Sequence, residues 1–203
     1  SCKHNHKCKH IFFTCSSCTI VNMDIVVFGA SGHLSNNKIF PALDALYTKG
    51  VIPKTSQVIG FSRTTKENVS YSFPYQAVTG DYANYDAVSK LKDFLRPDTK
   101  HVFFLAVPPL VYGDLFASIH RSELVTKDDP AGHSIILVEK PFGESGENAK
   151  FLLGVSAEYF RADQLLKIDH YAGKEELRKL EYEDFSTIKE VAFEIFETAD
   201  IEG

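Results

Sequence analysis

Four near-continuous apolar runs, each followed by a helical stretch, constrain this chain more than any other feature. They are DIVVFGA (24–30), SQVIGFS (56–62), HVFFLAVP (101–108) and SIILVEKP (134–141). A strand buried on one face alternates apolar and polar residues, whereas a run apolar throughout belongs to a sheet covered on both faces. Between and after the runs, residues around 37–49, 84–95, 110–124 and 145–160 carry helical patterns. Strand–helix repetition at this spacing predicts an α/β domain built on a doubly wound parallel sheet.

The 203 residues carry a net charge of −5, unevenly spread. Residues 1–22 contain Lys3, Lys7 and Lys9, no acid, and all four cysteines (Cys2, Cys8, Cys15 and Cys18), while the remainder has 19 Lys+Arg against 27 Asp+Glu. Cys15-x-x-Cys18 has the spacing of half a zinc knuckle, and Cys8 with His10 would complete four ligands. The two pairs lie closer together than in common zinc modules and lack an apolar framework, so no metal is expected. Ile11-Phe12-Phe13 is too short for the apolar core of a secretory signal. Residues 1–22 are therefore read as a disordered leader ahead of Met23. The acidic remainder argues against a nucleic-acid partner. The longest apolar run, Val102 to Tyr112, is broken by Pro108-Pro109 and too short to span a bilayer. With no support for secretion or membrane insertion, a cytoplasmic location is the expectation.

After residue 168 the pattern changes. HYAGKEELRKLEYEDF (170–185) reads as a charged helix and STIKEVAFEIFE (186–197) as a strand. The expected organisation is a Rossmann-like domain over 23–168, followed by 169–203 as the start of an incomplete α+β domain.

Chemistry gathers at the ends of the apolar runs. Gly29-Ala30-Ser31-Gly32 follows the first strand and precedes a helix, a placement that points backbone N–H groups at a pyrophosphate. Ser35 stands where such turns usually have a third glycine. After the second strand, Ser62-Arg63-Thr64-Thr65 offers a cation flanked by hydroxyls in place of the carboxylate that would hold a ribose 2′-hydroxyl, which suits a 2′-phosphate and hence NADP. Glu139-Lys140-Pro141-Phe142-Gly143 ends the fourth strand, the edge where ligands bind in open α/β sheets. Asp169-His170-Tyr171-Ala172-Gly173-Lys174 packs acid, imidazole, phenol and ammonium into six residues, and the last three groups could grip a phosphate.

These motifs, in this order, resemble the glucose-6-phosphate dehydrogenase family. The match is carried by GASGHL with Lys38 in SNNKIFPAL, then IGFSR, FFLAVPPLVY, ILVEKPFG, KIDHYAGKE and FETADIEG. The resemblance implies oxidation of glucose 6-phosphate to its lactone with NADP, in the oxidative pentose phosphate pathway. It implies that Gly29, Ala30, Ser31, Gly32, His33, Leu34, Arg63 and Tyr112 hold the coenzyme. Lys38 and Lys140 would lie between coenzyme and sugar, with Lys140 touching both and counted with Asp169 among the catalytic residues. His170, Tyr171 and Lys174 would hold the sugar phosphate, Glu197 a sugar hydroxyl, and Asp169 would orient the catalytic histidine. His33 replaces the usual acid of GASGDL, and a Trp-containing stretch between Lys174 and Glu197 is missing. The resemblance also puts the catalytic base beyond Gly203, so turnover by these 203 residues is not expected. Full-length members are expected to be homo-oligomers. Two other classes remain: a non-catalytic NADP- or sugar-phosphate-binding module, and a short-chain dehydrogenase or epimerase. The latter needs Tyr-x-x-x-Lys, and Tyr171 and Lys174 have the wrong spacing.

Overall fold

Residues 23–28, MDIVVF, are buried without exception, and this single fact fixes the architecture around them. An extended chain turns successive side chains to opposite faces, so six buried residues in a row need a cover on both sides. The computed structural model describes residues 22–64, 70–130 and 132–168. The expectations placed on the leader and on Asp169, His170, Tyr171, Lys174 and Glu197 lie outside the described residues.

Among the described residues six strands form one sheet: β1 (Met23–Phe28), β2 (Gln57–Ser62), β3 (Tyr75–Thr79), β4 (Lys100–Leu105), β5 (Ser134–Glu139) and β6 (Leu165–Ile168). Their order is β3-β2-β1-β4-β5-β6, and every neighbouring pair is parallel. This is the doubly wound Rossmann-like arrangement. Val26 is flanked by Ile59 and Phe103, and Phe28 by Phe61 and Leu105.

The strands' two side-chain registers feed two cores. Val26, Phe28, Phe61 and Leu105 pack with residues of α2 (Tyr85–Ser89), α3 (Tyr112–Arg121) and α4 (Gly146–Tyr159), among them Val88, Phe116 and Leu152. Ile25, Val27, Val58 and Leu137 pack on the other face with Phe40 and Tyr47 of α1 (Phe40–Thr48) and with Phe73. Each fully buried large apolar side chain contributes about 1.5–3 kcal/mol.

The four anticipated strands are present. The edge strands β3 and β6 were not anticipated, because four of the five residues of β3 are partly or fully exposed and β6 has only four residues. The expected helix over 84–95 is α2 followed by a tighter 3-10 turn, Lys90–Asp93. The one expected over 110–124 begins as a 3-10 turn at Pro109–Val111 and ends with α3 at Arg121. Asn84 and Ser145 cap α2 and α4 by accepting from the Ala87 and Asn148 N–H groups.

At the N-terminal edge of the sheet, Asp24 is fully buried. Its carboxylate accepts from the Arg96 backbone N–H at 2.7 Å, Arg96 Nε at 2.9 Å and Thr99 Oγ1 at 3.0 Å, and from Arg96 Nη2. This clamp ties the approach to β4 onto the start of β1. Burial pushes the Asp24 carboxyl up, but the bonds from Arg96 and Thr99 outweigh it and hold it below the usual 3.8.

Candidate functional site

All six strands run the same way, so their C-terminal ends share one edge. The strand order reverses between β1 and β4, and the crevice there is where open α/β sheets bind ligands. The turn after β1 forms its floor. Gly29 has φ 82°, and a Cβ on it would stand 2.2 Å from the Ala106 carbonyl oxygen that follows β4. Only glycine fits, for both backbone and steric reasons. The Gly29 and Ala30 N–H groups donate to Phe61 O at 2.9 and 3.3 Å, and Gly32 N–H closes the turn on Gly29 O at 2.9 Å.

The Asn36 N–H donates to Gly32 O at 3.2 Å, which makes Gly32 the helix cap. The N–H groups of His33, Leu34 and Ser35 therefore lie in a first turn with no helical carbonyl before them. A π-turn, Ser35–Ile39, runs directly into α1. Pro41 explains this widening: a proline inside a helix has no N–H to donate and its ring collides with the carbonyl four residues back. Lys38 is exposed within the π-turn, and His33 is exposed at the helix start.

Beside this turn, Arg63 is exposed just past β2. Ser62 Oγ donates to Thr64 O at 2.6 Å, and Thr64 Oγ1 donates to Ser31 Oγ at 3.2 Å, so the two loops are joined. The Arg63 guanidinium lies 5.9 Å from the ring centre of Tyr82, a residue that the sequence reading missed. Lys140 is exposed at the end of β5, and its N–H donates to Ile168 O at 2.9 Å. It stands two strand spacings, roughly 10 Å, from β1. The Lys140–Pro141 bond is cis. Gly143 follows with φ 104°, where a Cβ would meet the Ala149 nitrogen at 2.8 Å.

Tyr112, expected to line the coenzyme site, is only 1% exposed. Its ring lies 5.8 Å from those of both Phe116 and Phe142, beneath the loop that carries Lys140. Burial pushes its hydroxyl up to about 12, so it stays protonated at physiological pH. Gly29–Leu34, Arg63 and Lys140 thus share the C-terminal edge, with Tyr112 as a support below. A polar cavity of about 270 Å³ containing His101, Glu123 and His133 lies instead at the opposite edge, where β4 and β5 begin. Among the described residues no helix is long and apolar enough to cross a membrane.

The crevice fits a dinucleotide by its own structure: a glycine turn whose close approach to the backbone after β4 excludes any Cβ, a helix start with unused N–H groups, and a cation beside it. Residues 26–77 and 72–178 match the family model described as glucose-6-phosphate dehydrogenase, NAD binding domain. The chain is 31% identical over 190 residues to the glucose-6-phosphate 1-dehydrogenase of Kluyveromyces lactis, covering 78% of this chain and 37% of that protein. It is 33% identical over 184 residues to that of Borreliella burgdorferi, covering 80% and 37%. A solved structure described as glucose-6-phosphate dehydrogenase in complex with its substrate glucose-6-phosphate superposes with TM-score 0.65 at 27% identity, over 80% of this chain and 40% of that one. A glucose-6-phosphate 1-dehydrogenase from Mycobacterium avium, 20% identical, shares the fold at TM-score 0.64 over 80% and 42%. The chain spans 37% of the length of both curated relatives.

Proposed function

Because the chain belongs to the glucose-6-phosphate dehydrogenase family, we propose that residues 23–168 bind NADP and serve the oxidation of glucose 6-phosphate to 6-phosphogluconolactone. The observation that carries this reading is the joining of an anion-binding turn, Gly29–Gly32, to the Arg63 loop through Thr64 and Ser31. The first-turn N–H groups after Gly32 would take the pyrophosphate charge, and Arg63 the 2′-phosphate. When bound, the coenzyme supplies the hydride acceptor. Lys38 and Lys140 would hold sugar oxygens next to it. By family resemblance, His170, Tyr171 and Lys174 would bind the sugar phosphate and Glu197 a sugar hydroxyl, with Asp169 orienting the histidine that takes the proton.

An equilibrium titration of the full chain with NADP and NAD, repeated with Arg63→Ala, tests the coenzyme assignment. A charge-assisted arginine–phosphate bond contributes about 1.5–3 kcal/mol, so NADP affinity should fall by roughly 10- to 150-fold. NAD affinity should change less than about two-fold. Equal loss for both nucleotides, or no loss for either, removes the 2′-phosphate role.

A further inference from the structure

Tyr82 belongs to no motif in the sequence, yet its ring lies against Arg63, the cation that the coenzyme reading depends on. It follows β3 in the segment Gly80–Asn84, and the chain reaches this position because Gly80 has no side chain. A Cβ there would stand 2.8 Å from Phe61 Cζ and 2.5 Å from the Ala87 Cβ. The Asp81 carboxylate, accepting from the Ala83 N–H at 2.9 Å, and the Asn84 cap fix the turn beyond it. The Tyr82 ring is 8% exposed, with its centre 5.9 Å from that of Phe61.

One side of this pinned ring faces the exposed Arg63 guanidinium, at 5.9 Å. Burial raises the Tyr82 hydroxyl, and the charge of Arg63 opposes that rise. The ring thus has the buried Phe61 and the Arg63 cation as its neighbours.

We propose that Tyr82 is a positioning residue for coenzyme choice: it holds the Arg63 guanidinium beside the glycine turn, where a nucleotide 2′-phosphate would meet it. This rests on the NADP reading above. A free arginine side chain loses rotamer freedom when it binds a phosphate, and a cation already stacked on a fixed ring loses less. NAD has no 2′-phosphate, so it gains nothing from this arrangement. Tyr82 accordingly acts on the ratio of NADP to NAD affinity and not on nucleotide affinity in general.

The experiment measures NADP and NAD dissociation constants on the full chain for wild type, Tyr82→Leu, Tyr82→Phe, Arg63→Ala and Arg63→Ala/Tyr82→Leu. Tyr82→Leu keeps an apolar group in the buried space and removes the π face. It should lower the NADP-to-NAD affinity ratio about five-fold, a typical cation–π effect. Tyr82→Phe keeps the face and should hold the ratio within about two-fold. Without Arg63, Tyr82→Leu should leave the ratio unchanged. Thermal unfolding confirms that each variant is folded, and Tyr82→Met gives the same reading if the leucine variant is not.

Equal weakening of both nucleotides by Tyr82→Leu would reduce Tyr82 to a structural residue and overturn the proposal. So would a drop in the ratio that persists without Arg63. In either case a ratio still sensitive to Arg63→Ala leaves the NADP reading standing. A ratio insensitive to Arg63→Ala overturns that reading, and the role of Tyr82 with it.

Discussion

The two glycines of the turn after β1 look equivalent in sequence, and the structure predicts opposite outcomes for them. In Gly29→Ala the new Cβ meets the Ala106 carbonyl oxygen at 2.2 Å and its carbon at 2.8 Å. That carbonyl cannot simply swing away, because the Ala106 N–H is bonded to Phe28 O at 2.9 Å and so couples the backbone to the centre of the sheet. Holding an alanine at φ 82° costs about 1–2 kcal/mol. Forcing β1 and the chain after β4 apart adds about 1–3 kcal/mol. The total, about 2–5 kcal/mol, corresponds to a midpoint roughly 5–15 °C lower for a domain of this size. In Gly32→Ala the nearest atom is Gly29 O at 3.0 Å, and the backbone is not left-handed. The tight contact is offset by about 0.4–1 kcal/mol from restricting the unfolded chain, so stability should stay within about 1 kcal/mol of wild type. Urea and thermal unfolding followed by far-ultraviolet circular dichroism measure both variants. Similar losses for the two, or a Gly29→Ala loss below about 1 kcal/mol, would refute this account of the turn.

Two further outcomes follow from the opposite edge of the sheet. Asp24→Asn replaces a buried acceptor-only group by one carrying its own N–H donors against Arg96 and Thr99, and should cost about 2–4 kcal/mol at pH 7 in urea unfolding. Because folding lowers the carboxyl pKa, its contribution is complete above the unfolded value of 3.8 and disappears as pH falls through the lower folded value. The difference between wild type and variant should therefore narrow below about pH 4, and a gap unchanged at pH 2 would exclude the mechanism. Glu123→Gly should stabilise by about 1 kcal/mol: Glu123 follows the Ser122 cap of α3 with φ 48°, a strain of about 1–2 kcal/mol, whereas its exposed pair with Lys92 is worth about 0–1 kcal/mol. A lower melting temperature for Glu123→Gly would contradict that balance.

The four central strands were legible because both faces of each are covered, which writes an unbroken apolar run. β3 and β6 left no such run: Tyr75–Thr79 keeps only Val78 buried, and Leu165–Ile168 has no fully buried residue. The site was legible for the same reason as the strands, since in a parallel sheet every strand end faces one edge. That rule placed Gly29, Arg63 and Lys140 together from sequence. It could not place Tyr82, which comes to lie beside Arg63 after a turn packed tightly at Gly80 on Phe61 and Ala87. Nor could it show that Tyr112 turns inward onto Phe116 and Phe142.

The departure at Ser35 acquires a physical meaning through the polar groups of the turn. A loop that binds an anion must keep its N–H groups available and its carbonyls occupied, because a carbonyl oxygen facing a phosphate repels it. Ser35 is fully buried, and its hydroxyl donates to Gly29 O at 2.8 Å. Asn36 Nδ2 reaches both Ala30 O and Gly32 O, and Asn37 Nδ2 donates to His33 O at 3.0 Å. Three consecutive side chains thus occupy four carbonyls of the turn and first helical residue. The serine in place of a glycine forgoes the closest helix–strand approach and supplies one of those donors. The π-turn begins at this same residue, where the Phe40 N–H bonds to Ser35 O. Glycine at position 35 would allow tighter packing but leave Gly29 O without the serine hydroxyl, so the residue that departs from the motif also helps to turn a carbonyl away from the anion.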